Sequence, residues 1–128
     1  MKKAFAIIVV FIFASAATKA QKPILPGAYQ MSEYIPLLQH KRVGLFTNQT
    51  ATIGNTHLID TLLKSGTQIQ KIFTPEHGLR GTADAGEKVN DEMDAKTGIK
   101  IVSLYGKKNA PTQEDLADID IYYLMCKT

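Results

Sequence analysis

The sequence predicts an α/β fold built on a parallel sheet. Short apolar runs of strand length recur along the chain, and segments with helical spacing or a helix-start pattern lie between them. The resulting order of strand, helix, strand, loop, strand, helix, strand is typical of βαβ units with right-handed crossovers. With 128 residues, 45% of them hydrophobic, the chain is long enough for one domain with a packed core.

The first two strands and a lead-in helix come from the first half of the chain. Met31–Leu38 is rich enough in apolar residues to form one or two helical turns. Val43–Thr47 carries no charge and predicts a buried strand. Ile69–Phe73 predicts the second strand.

The most regular helical pattern covers Thr56–Ser65. Its apolar residues recur at the spacing of one helix face, at Leu58, Ile59, Leu62 and Leu63. Asn55 or Thr56 is expected to cap the start, and Gly66 follows the end.

The second half begins with a long segment that has no apolar periodicity, Leu79–Gly98. A loop of this length is uncommon in a compact domain and is often functional. Ile99–Leu104 predicts the third strand and Ile119–Leu124 the fourth. Between them Thr112–Leu116 predicts a short helix, because Pro111 and the acidic residues that follow suit a helix start.

Residues 1–20 have the pattern of a cleavable secretory signal. A basic start precedes an apolar run from Ala4 to Ala17, and small residues lie at positions −3 and −1 of the expected cleavage site, Thr18 and Ala20. Cleavage is expected after Ala20, with Ala17 as the second choice. A membrane anchor is the weaker interpretation, because the run is shorter than the ~20 residues that span a bilayer. We expect an exported protein, periplasmic or extracellular, with no membrane anchor after cleavage.

The same leader explains the basic character of the chain. There are 15 Lys and Arg against 12 Asp and Glu, a net charge of +3. Removing the leader takes away three lysines and no acids, which leaves 12 minus 12, or zero. Nucleic acid is therefore not expected as a partner. The rest divides into a lead-in over residues 21–40 and one domain over residues 41–128, whose lone Cys126 can form no internal disulfide.

Polar residues follow the first two predicted strands, as Asn48-Gln49-Thr50 and as Thr74–Gly78. Parallel neighbours end at the same edge of a sheet, where open α/β folds bind ligands, so we expect Asn48 near Glu76. Glu76 follows the rigid Pro75, and a carboxyl at the mouth of an apolar sheet can serve as a general acid. A solvated loop carboxylate is the alternative.

Further candidates follow Glu76. His77 has the chemistry to orient Glu76, contact substrate or bind a metal, although an adjacent Glu-His pair is a weak signal, and Arg80 can hold a carboxylate by two parallel hydrogen bonds. Asp84 and Glu87 are candidates for a second carboxylate or for ligands of sugar hydroxyls, with a solvated loop as the alternative. No glycine-rich phosphate loop follows the first strand and no His pair has metal-ligand spacing, so neither a cofactor nor a metal is expected.

Five sequence blocks between about Lys41 and Asp120 carry a resemblance to a known family. They are Val43–Thr50, Phe73–Gly81, Ala83–Val89, Lys96–Gly98 and Ser103–Lys107. The most specific part is Pro-Glu-His-Gly at residues 75–78. In this order the blocks resemble the exo-β-N-acetylmuramidase NamZ family, formerly domain of unknown function 1343.

The resemblance implies a glycoside hydrolase that removes N-acetylmuramic acid from the non-reducing end of peptidoglycan fragments, in cell-wall recycling. It implies a Rossmann-like parallel sheet with flanking helices, and a smaller C-terminal domain that completes the cleft. Glu76 matches the family's catalytic Glu and is expected to be the general acid/base, without a cofactor. Asn48, His77, Arg80 and Asp84 are expected to bind muramic acid saccharides, with Arg80 facing the lactyl carboxylate.

The resemblance stops before the chain does. Family members are longer and continue after the fourth strand with a block like Phe-Asp-Val-Gln-Asp-Val-Gly, where this chain reads Tyr123–Thr128 and stops. One choice of codons for these residues encodes Phe-Asp-Val-Gln-Asp-Val in another frame. We therefore hypothesise a frameshift just before Tyr123. The expectation is a sheet truncated after about four strands, and a chain that is inactive alone.

Two other functions fit the same residues. One is an exported α/β module that binds a cell-wall sugar without cleaving it, which a release assay distinguishes from a glycosidase. The other is a metal hydrolase that uses Glu76, His77 and Asp84, whose activity a chelator would abolish.

Overall fold

The computed structural model of the chain describes residues 24–81 and 91–126. The predicted leader, Asp84 and Glu87 lie outside these ranges. In chain order the elements are a 3-10 turn Gly27–Tyr29, α1 Met31–Leu38, β1 Arg42–Thr47, β2 Thr52–Ile53, β3 Thr56–His57, α2 Leu58–Lys64, β4 Gln68–Thr74, β5 Glu92–Met93, β6 Lys100–Ser103, α3 Gln113–Leu116 and β7 Ile121–Met125. No helix within the described ranges has both the length and the apolar character needed to cross a bilayer.

Within residues 24–81 and 91–126 the main sheet has five strands, in the order β5-β6-β4-β1-β7. β1, β4, β6 and β7 run parallel, and β5 pairs antiparallel with β6 at one edge. If the parallel strands are numbered by their order in the chain, their order across the sheet is third, second, first, fourth. This is the Rossmann arrangement. The predicted parallel α/β sheet is therefore confirmed, with one antiparallel edge strand that the sequence did not predict.

One face of the sheet carries the main core. Val43 and Leu45 of β1 are fully buried there, in one cluster with Leu38 of α1 and with Leu58 and Leu62 of α2. Helices α1 and α2 pack on this face, because that removes their apolar sides from water.

On the opposite face the sheet is covered by the segment that leads into β7. Gly44 allows this close approach, since a Cβ there would lie 2.6 Å from Cδ1 of Ile119. Phe73 is fully buried on the same side and its ring meets Tyr122 edge-on, with centroids 5.2 Å apart.

The start of α2 differs from the sequence prediction. The helix begins at Leu58 rather than Thr56, and its cap is neither Asn55 nor Thr56 but His57, whose side chain accepts a hydrogen bond from the Ile59 amide. The physical reason is the small antiparallel ladder of β2 and β3, which keeps Thr56 and His57 extended.

The long segment before β6 also differs from the prediction of an unstructured loop. Glu92 and Met93 pair with Ile101 and Lys100, so the end of the segment forms a hairpin with β6. Its turn is closed by the Gly98 amide, which donates to the Asp94 carbonyl at 2.8 Å. The other predicted strands and the short helix α3 occur within two residues of their expected limits.

Candidate active site

Three parallel strands deliver their following loops to one edge of the sheet. Phe46 of β1 lies opposite Phe73 of β4, and Thr74 of β4 lies opposite Ser103 of β6. The segments after Thr47, Thr74 and Ser103 therefore leave from the same edge. This register confirms that the strands before Asn48 and Glu76 are parallel neighbours.

Glu76 lies in a tight turn directly after β4. The turn is closed by the Gly78 amide, which donates to the Pro75 carbonyl at 3.2 Å. His77 has φ of 70°, in the left-handed region that favours glycine. Non-glycine residues with such strain cluster at functional sites, because the surrounding structure must hold them there.

Tyr105, in the loop after β6, reaches the same turn. Interaction with the Glu76 carboxyl, through hydrogen bonding and through its negative charge, raises the pKa of Tyr105 above its usual value of 10.0. Tyr105 lies in the block Ser103–Lys107 that carries the family resemblance, and the sequence predicted no role for it.

Asn48 is held by the hairpin that precedes α2. The Thr50 hydroxyl donates to Asn48 Oδ1 at 2.9 Å, and His57 Nε2 lies 2.9 Å from the Asn48 carbonyl oxygen. Because His57 Nδ1 accepts from the Ile59 amide at 3.3 Å, the ring proton belongs on Nε2, which donates to Asn48. Burial lowers the pKa of His57, so the neutral tautomer that makes both bonds is favoured.

Arg80 forms a two-point ion pair with Asp94 at the base of the predicted long loop. Arg80 Nε and Nη2 donate to the two Asp94 oxygens at 3.1 and 2.9 Å. The Thr97 amide and hydroxyl also donate to Asp94 Oδ2, at 3.1 and 2.7 Å. Burial alone would raise the pKa of Asp94, but the hydrogen bonds from Arg80 and Thr97 lower it below its usual value.

The loops after β1 and β4 also touch each other. Gly81 has φ of 69° and packs on Gln49, so that a Cβ at Gly81 would lie 2.9 Å from Gln49 Cγ. Close by in sequence, three buried side-chain oxygens find no partner among the described residues: Thr47 Oγ1, Gln49 Oε1 and Thr74 Oγ1. Buried polar groups of this kind are rare in a core and mark this edge as unusual.

Two cavities lie away from Glu76. One, of about 150 Å³, lies beside the ends of β1 and β7 and is lined by Tyr29, Ala51, Met125 and their neighbours. A more open one, of about 530 Å³, lies beside α2. Glu76 lines neither of these two cavities.

Comparison with known proteins decides the family. The model of the N-terminal domain of exo-β-N-acetylmuramidase NamZ matches residues 43–125. This chain belongs to the NamZ family. It is 41% identical over 95 residues to the peptidoglycan β-N-acetylmuramidase NamZ of Bacillus subtilis strain 168, covering 71% of this chain and 22% of that protein.

Two solved structures of DUF1343 family proteins from Bacteroides fragilis NCTC 9343 share the NamZ fold seen here. One is 35% identical with a TM-score of 0.64, covering 80% of this chain, and the other is 34% identical with a TM-score of 0.65, covering 77%. This chain spans 25% of the length of each. The expected Rossmann-like α/β fold is thereby confirmed.

The structure brings some of the predicted site residues together and leaves others undescribed. Asn48, Glu76 and His77 lie in the loops of one sheet edge, and Arg80 lies just beyond them, bound to Asp94. Asp84, which the metal-hydrolase hypothesis uses together with Glu76 and His77, lies outside the described residues. Within residues 24–81 and 91–126 no three His, Cys, Asp or Glu side chains are grouped to hold a metal ion.

Sequence reasoning missed Asp94 and Tyr105. Asp94 could have been suspected from the sequence. The side chain of an Asp in a turn often accepts hydrogen bonds from backbone amides a few residues later. No sequence pattern near Tyr105 indicated a role for it, because Tyr105 and Glu76 follow two different strands, β6 and β4.

Replacing His77 tests whether the turn after β4 is strained. We expect His77→Gly to be more stable than His77→Ala by about 1 kcal/mol, because only glycine adopts the left-handed conformation without cost. Urea unfolding of both variants measures the difference. The same two substitutions at His40 are a matched control outside the site, because the φ of His40 is also positive, at 60°. An alanine variant as stable as the glycine variant at residue 77 would contradict the strain.

Acid is expected to destabilise this chain partly through His57. Its pKa is lowered from 6.5 by burial, so the unfolded chain takes up a proton before the folded chain does. This contribution to stability is fully present above pH 6.5 and is lost as the pH falls below that value.

The measurement compares urea midpoints near pH 7 with those near pH 5. In His57→Asn the midpoint should fall less, because Asn caps a helix without titrating. Equal decreases in both chains would exclude His57 as the group responsible.

Proposed function

We propose that this chain supplies the catalytic edge of an exo-β-N-acetylmuramidase, with Glu76 as its general acid/base. The observation that carries the proposal is a carboxyl group held in a strained turn at the carboxyl edge of a Rossmann-like sheet. Its Pro-Glu-His-Gly block lies within the region matched by the NamZ model. The substrates proposed are peptidoglycan fragments with N-acetylmuramic acid at the non-reducing end.

In the proposed reaction Glu76 first donates a proton and then accepts one. As an acid it protonates the glycosidic oxygen when the bond to the anomeric carbon breaks, so the remaining fragment leaves as a neutral alcohol. As a base it removes a proton from the water that attacks the anomeric carbon. Glycosidases use a second carboxylate, or the substrate's own N-acetyl group, to assist attack at that carbon.

Asn48, His77, Arg80 and Asp84 are proposed to bind or orient the muramic acid residue. Arg80 is proposed to face the lactyl carboxylate, which distinguishes muramic acid from N-acetylglucosamine. Two of its nitrogen atoms already donate to Asp94, so the substrate would meet the remaining side of the guanidinium. Arg80→Ala should then reduce the preference for muramic acid substrates, and an unchanged preference would remove this role.

The same proposal covers where the chain acts and what its 128 residues do alone. The leader pattern supports export to the compartment where peptidoglycan lies. The chain spans 22% of the Bacillus subtilis relative, and we expect the 128 residues to bind muramic acid glycosides weakly and not to hydrolyse them alone.

The test uses a hybrid enzyme, in which residues 43–125 of this chain replace the matched segment of the Bacillus subtilis NamZ protein. The assay measures chromophore release from a muramic acid glycoside and from the matching N-acetylglucosamine glycoside. The proposal expects release from the first substrate, and little from the second. Tight binding of the muramic acid glycoside without release by a folded hybrid would favour the sugar-binding module instead.

A further inference from the structure

The loop after β1 turns back on itself before α2, through the small hairpin of β2 and β3. The Ala51 amide donates to the Asn48 carbonyl at 3.2 Å, and the Leu58 amide donates to the Ala51 carbonyl at 2.8 Å. His57 lies opposite Thr52 in the ladder of β2 and β3. The hairpin therefore brings the ring of His57 back to Asn48, the residue with which the loop starts.

His57 uses its two ring nitrogens for two different contacts. Nδ1 accepts from the Ile59 amide at 3.3 Å, and Nε2 lies 2.9 Å from the Asn48 carbonyl oxygen. A helix cap needs one acceptor, so the capping of α2 accounts for Nδ1 and not for Nε2. The contact of Nε2 with Asn48 therefore needs a reason of its own.

Other contacts hold the side chains of the same loop. The Thr50 hydroxyl donates to Asn48 Oδ1 at 2.9 Å. The next residue, Gln49, packs on the loop after β4, where a Cβ at Gly81 would lie 2.9 Å from Gln49 Cγ. The Asn48 carbonyl is thus the point at which the start of α2 fixes a loop that lies against the segment following Glu76.

We propose that His57 is a positioning residue that holds Asn48 for binding of the muramic acid residue. Its Nε2–H donates to the Asn48 carbonyl and fixes the backbone that carries the Asn48 side chain. A side-chain amide pairs with sugar hydroxyl or N-acetyl groups through its donors and its acceptor, and a loop fixed beforehand loses less entropy on binding. This inference rests on the proposed role of Asn48 and goes beyond it by naming the group that holds it in place.

The charge of the ring must stay constant while the contact is tested. Burial has the largest effect on the pKa of His57 and lowers it, the charge of Arg80 lowers it further, and the charges of Asp60 and Asp94 raise it. All variants are therefore compared at about pH 7.5, above the usual pKa of 6.5, where the ring is neutral. A lost contact is then not confused with a change of charge.

Two substitutions separate the two ring nitrogens. His57→Asn keeps an acceptor at the place of Nδ1 and can cap α2, but it has no atom at the place of Nε2. His57→Gln puts an amide nitrogen at the place of Nε2 and can donate to Asn48, but it has no acceptor at the place of Nδ1. The first variant should lose the contact with Asn48 while α2 stays capped, and the second should do the reverse.

The first experiment needs no catalysis. NMR of the full chain measures the chemical shift of the Asn48 carbonyl carbon, which changes when that carbonyl loses a hydrogen bond. We expect a change in His57→Asn and a value close to the original in His57→Gln. His40→Asn, at an exposed histidine, is the matched control and should leave the shift unchanged. A shift that is the same in the unmodified chain and in His57→Asn would overturn the contact.

The second experiment measures kinetics in the hybrid enzyme. His57→Asn should raise KM for the muramic acid glycoside about three- to tenfold, the effect of one hydrogen bond, with kcat changed less than about twofold. His57→Gln should keep KM near the original value although its urea midpoint falls.

A double variant shows whether His57 acts through Asn48. In Asn48→Ala the side chain that His57 positions is gone, so adding His57→Asn should raise KM no further. An unchanged KM in His57→Asn alone, or an effect that adds fully to that of Asn48→Ala, would overturn the proposal and leave His57 as a helix cap.

The experiments also separate this inference from the proposed function. If the unmodified hybrid binds muramic acid glycosides without hydrolysing them, the proposed function fails. The dissociation constants of the same variants then decide the role of His57, because binding needs no hydrolysis. A folded hybrid that neither binds nor hydrolyses the glycoside would overturn both.

Discussion

Glu76→Gln is expected to lower kcat of the hybrid enzyme by about 10²–10⁴-fold, the usual contribution of a general acid–base group. The amide has the shape of the carboxyl group but can neither give a proton to the glycosidic oxygen nor take one from water. KM should change little, because the neighbouring loops keep their contacts. Initial rates of glycoside release at saturating substrate provide the measurement.

The control for Glu76→Gln is the same substitution at an exposed carboxylate of the chain, Glu92 in β5. Glu92→Gln should retain the activity of the unmodified hybrid. If Glu76→Gln releases product as fast as this control, Glu76 is not the acid/base, and the catalytic carboxyl must be sought elsewhere. Circular dichroism and urea midpoints establish that both variants fold before the rates are compared.

The sheet could be predicted because its information is local. Val43–Thr47 is uncharged, and a run of that kind is stable only when both faces are covered. The order of elements then implied parallel strands, and parallel strands implied that Asn48 and Glu76 follow the same edge. The weakest local signals, the two-residue strands such as β5, were missed because pairing and not sequence periodicity defines them.

The contacts of the site could not be predicted in the same way. Whether Tyr105 meets Glu76 depends on the register between β4 and β6, which sets Thr74 opposite Ser103. A shift of one residue would turn every side chain of the strand to the other face. Likewise the ion pair of Arg80 with Asp94, 14 residues later in the chain, depends on how the intervening segment folds back.

The Arg80–Asp94 pair gives the largest expected effect on stability. Asp94 is 5% exposed and accepts hydrogen bonds from Arg80 and Thr97. Asp94→Ala should lower the free energy of unfolding by about 2–3 kcal/mol, since it leaves a partly buried guanidinium without its partner. The loss should be smaller in Asp94→Asn, which keeps an acceptor for Thr97. Urea unfolding measures both.

The sign of the pH dependence follows from the lowered pKa of Asp94. The stability that it contributes is present above its usual value of 3.8 and is lost as the pH falls through the lower folded value. The difference between the unmodified chain and Asp94→Ala should therefore persist at neutral pH and shrink in strong acid. Asp120→Ala is the matched control: Asp120 binds Arg42 with the same two-point geometry but is exposed, so a much smaller effect is expected. Similar losses at both positions would contradict the importance of burial.

The same variants decide what Arg80 does in the reaction. If Arg80 only fixes the loop, Arg80→Ala and Asp94→Ala should lower activity by similar factors, and the double variant should be no worse than either, because one contact is lost in all three. If Arg80 also faces the substrate, only Arg80→Ala should lose the preference for muramic acid over N-acetylglucosamine glycosides. Asp94→Ala should then retain that preference, because it leaves the guanidinium in place with fewer protein partners. The ratio of kcat/KM for the two substrates, measured across the cycle, separates a structural arginine from a substrate-binding one.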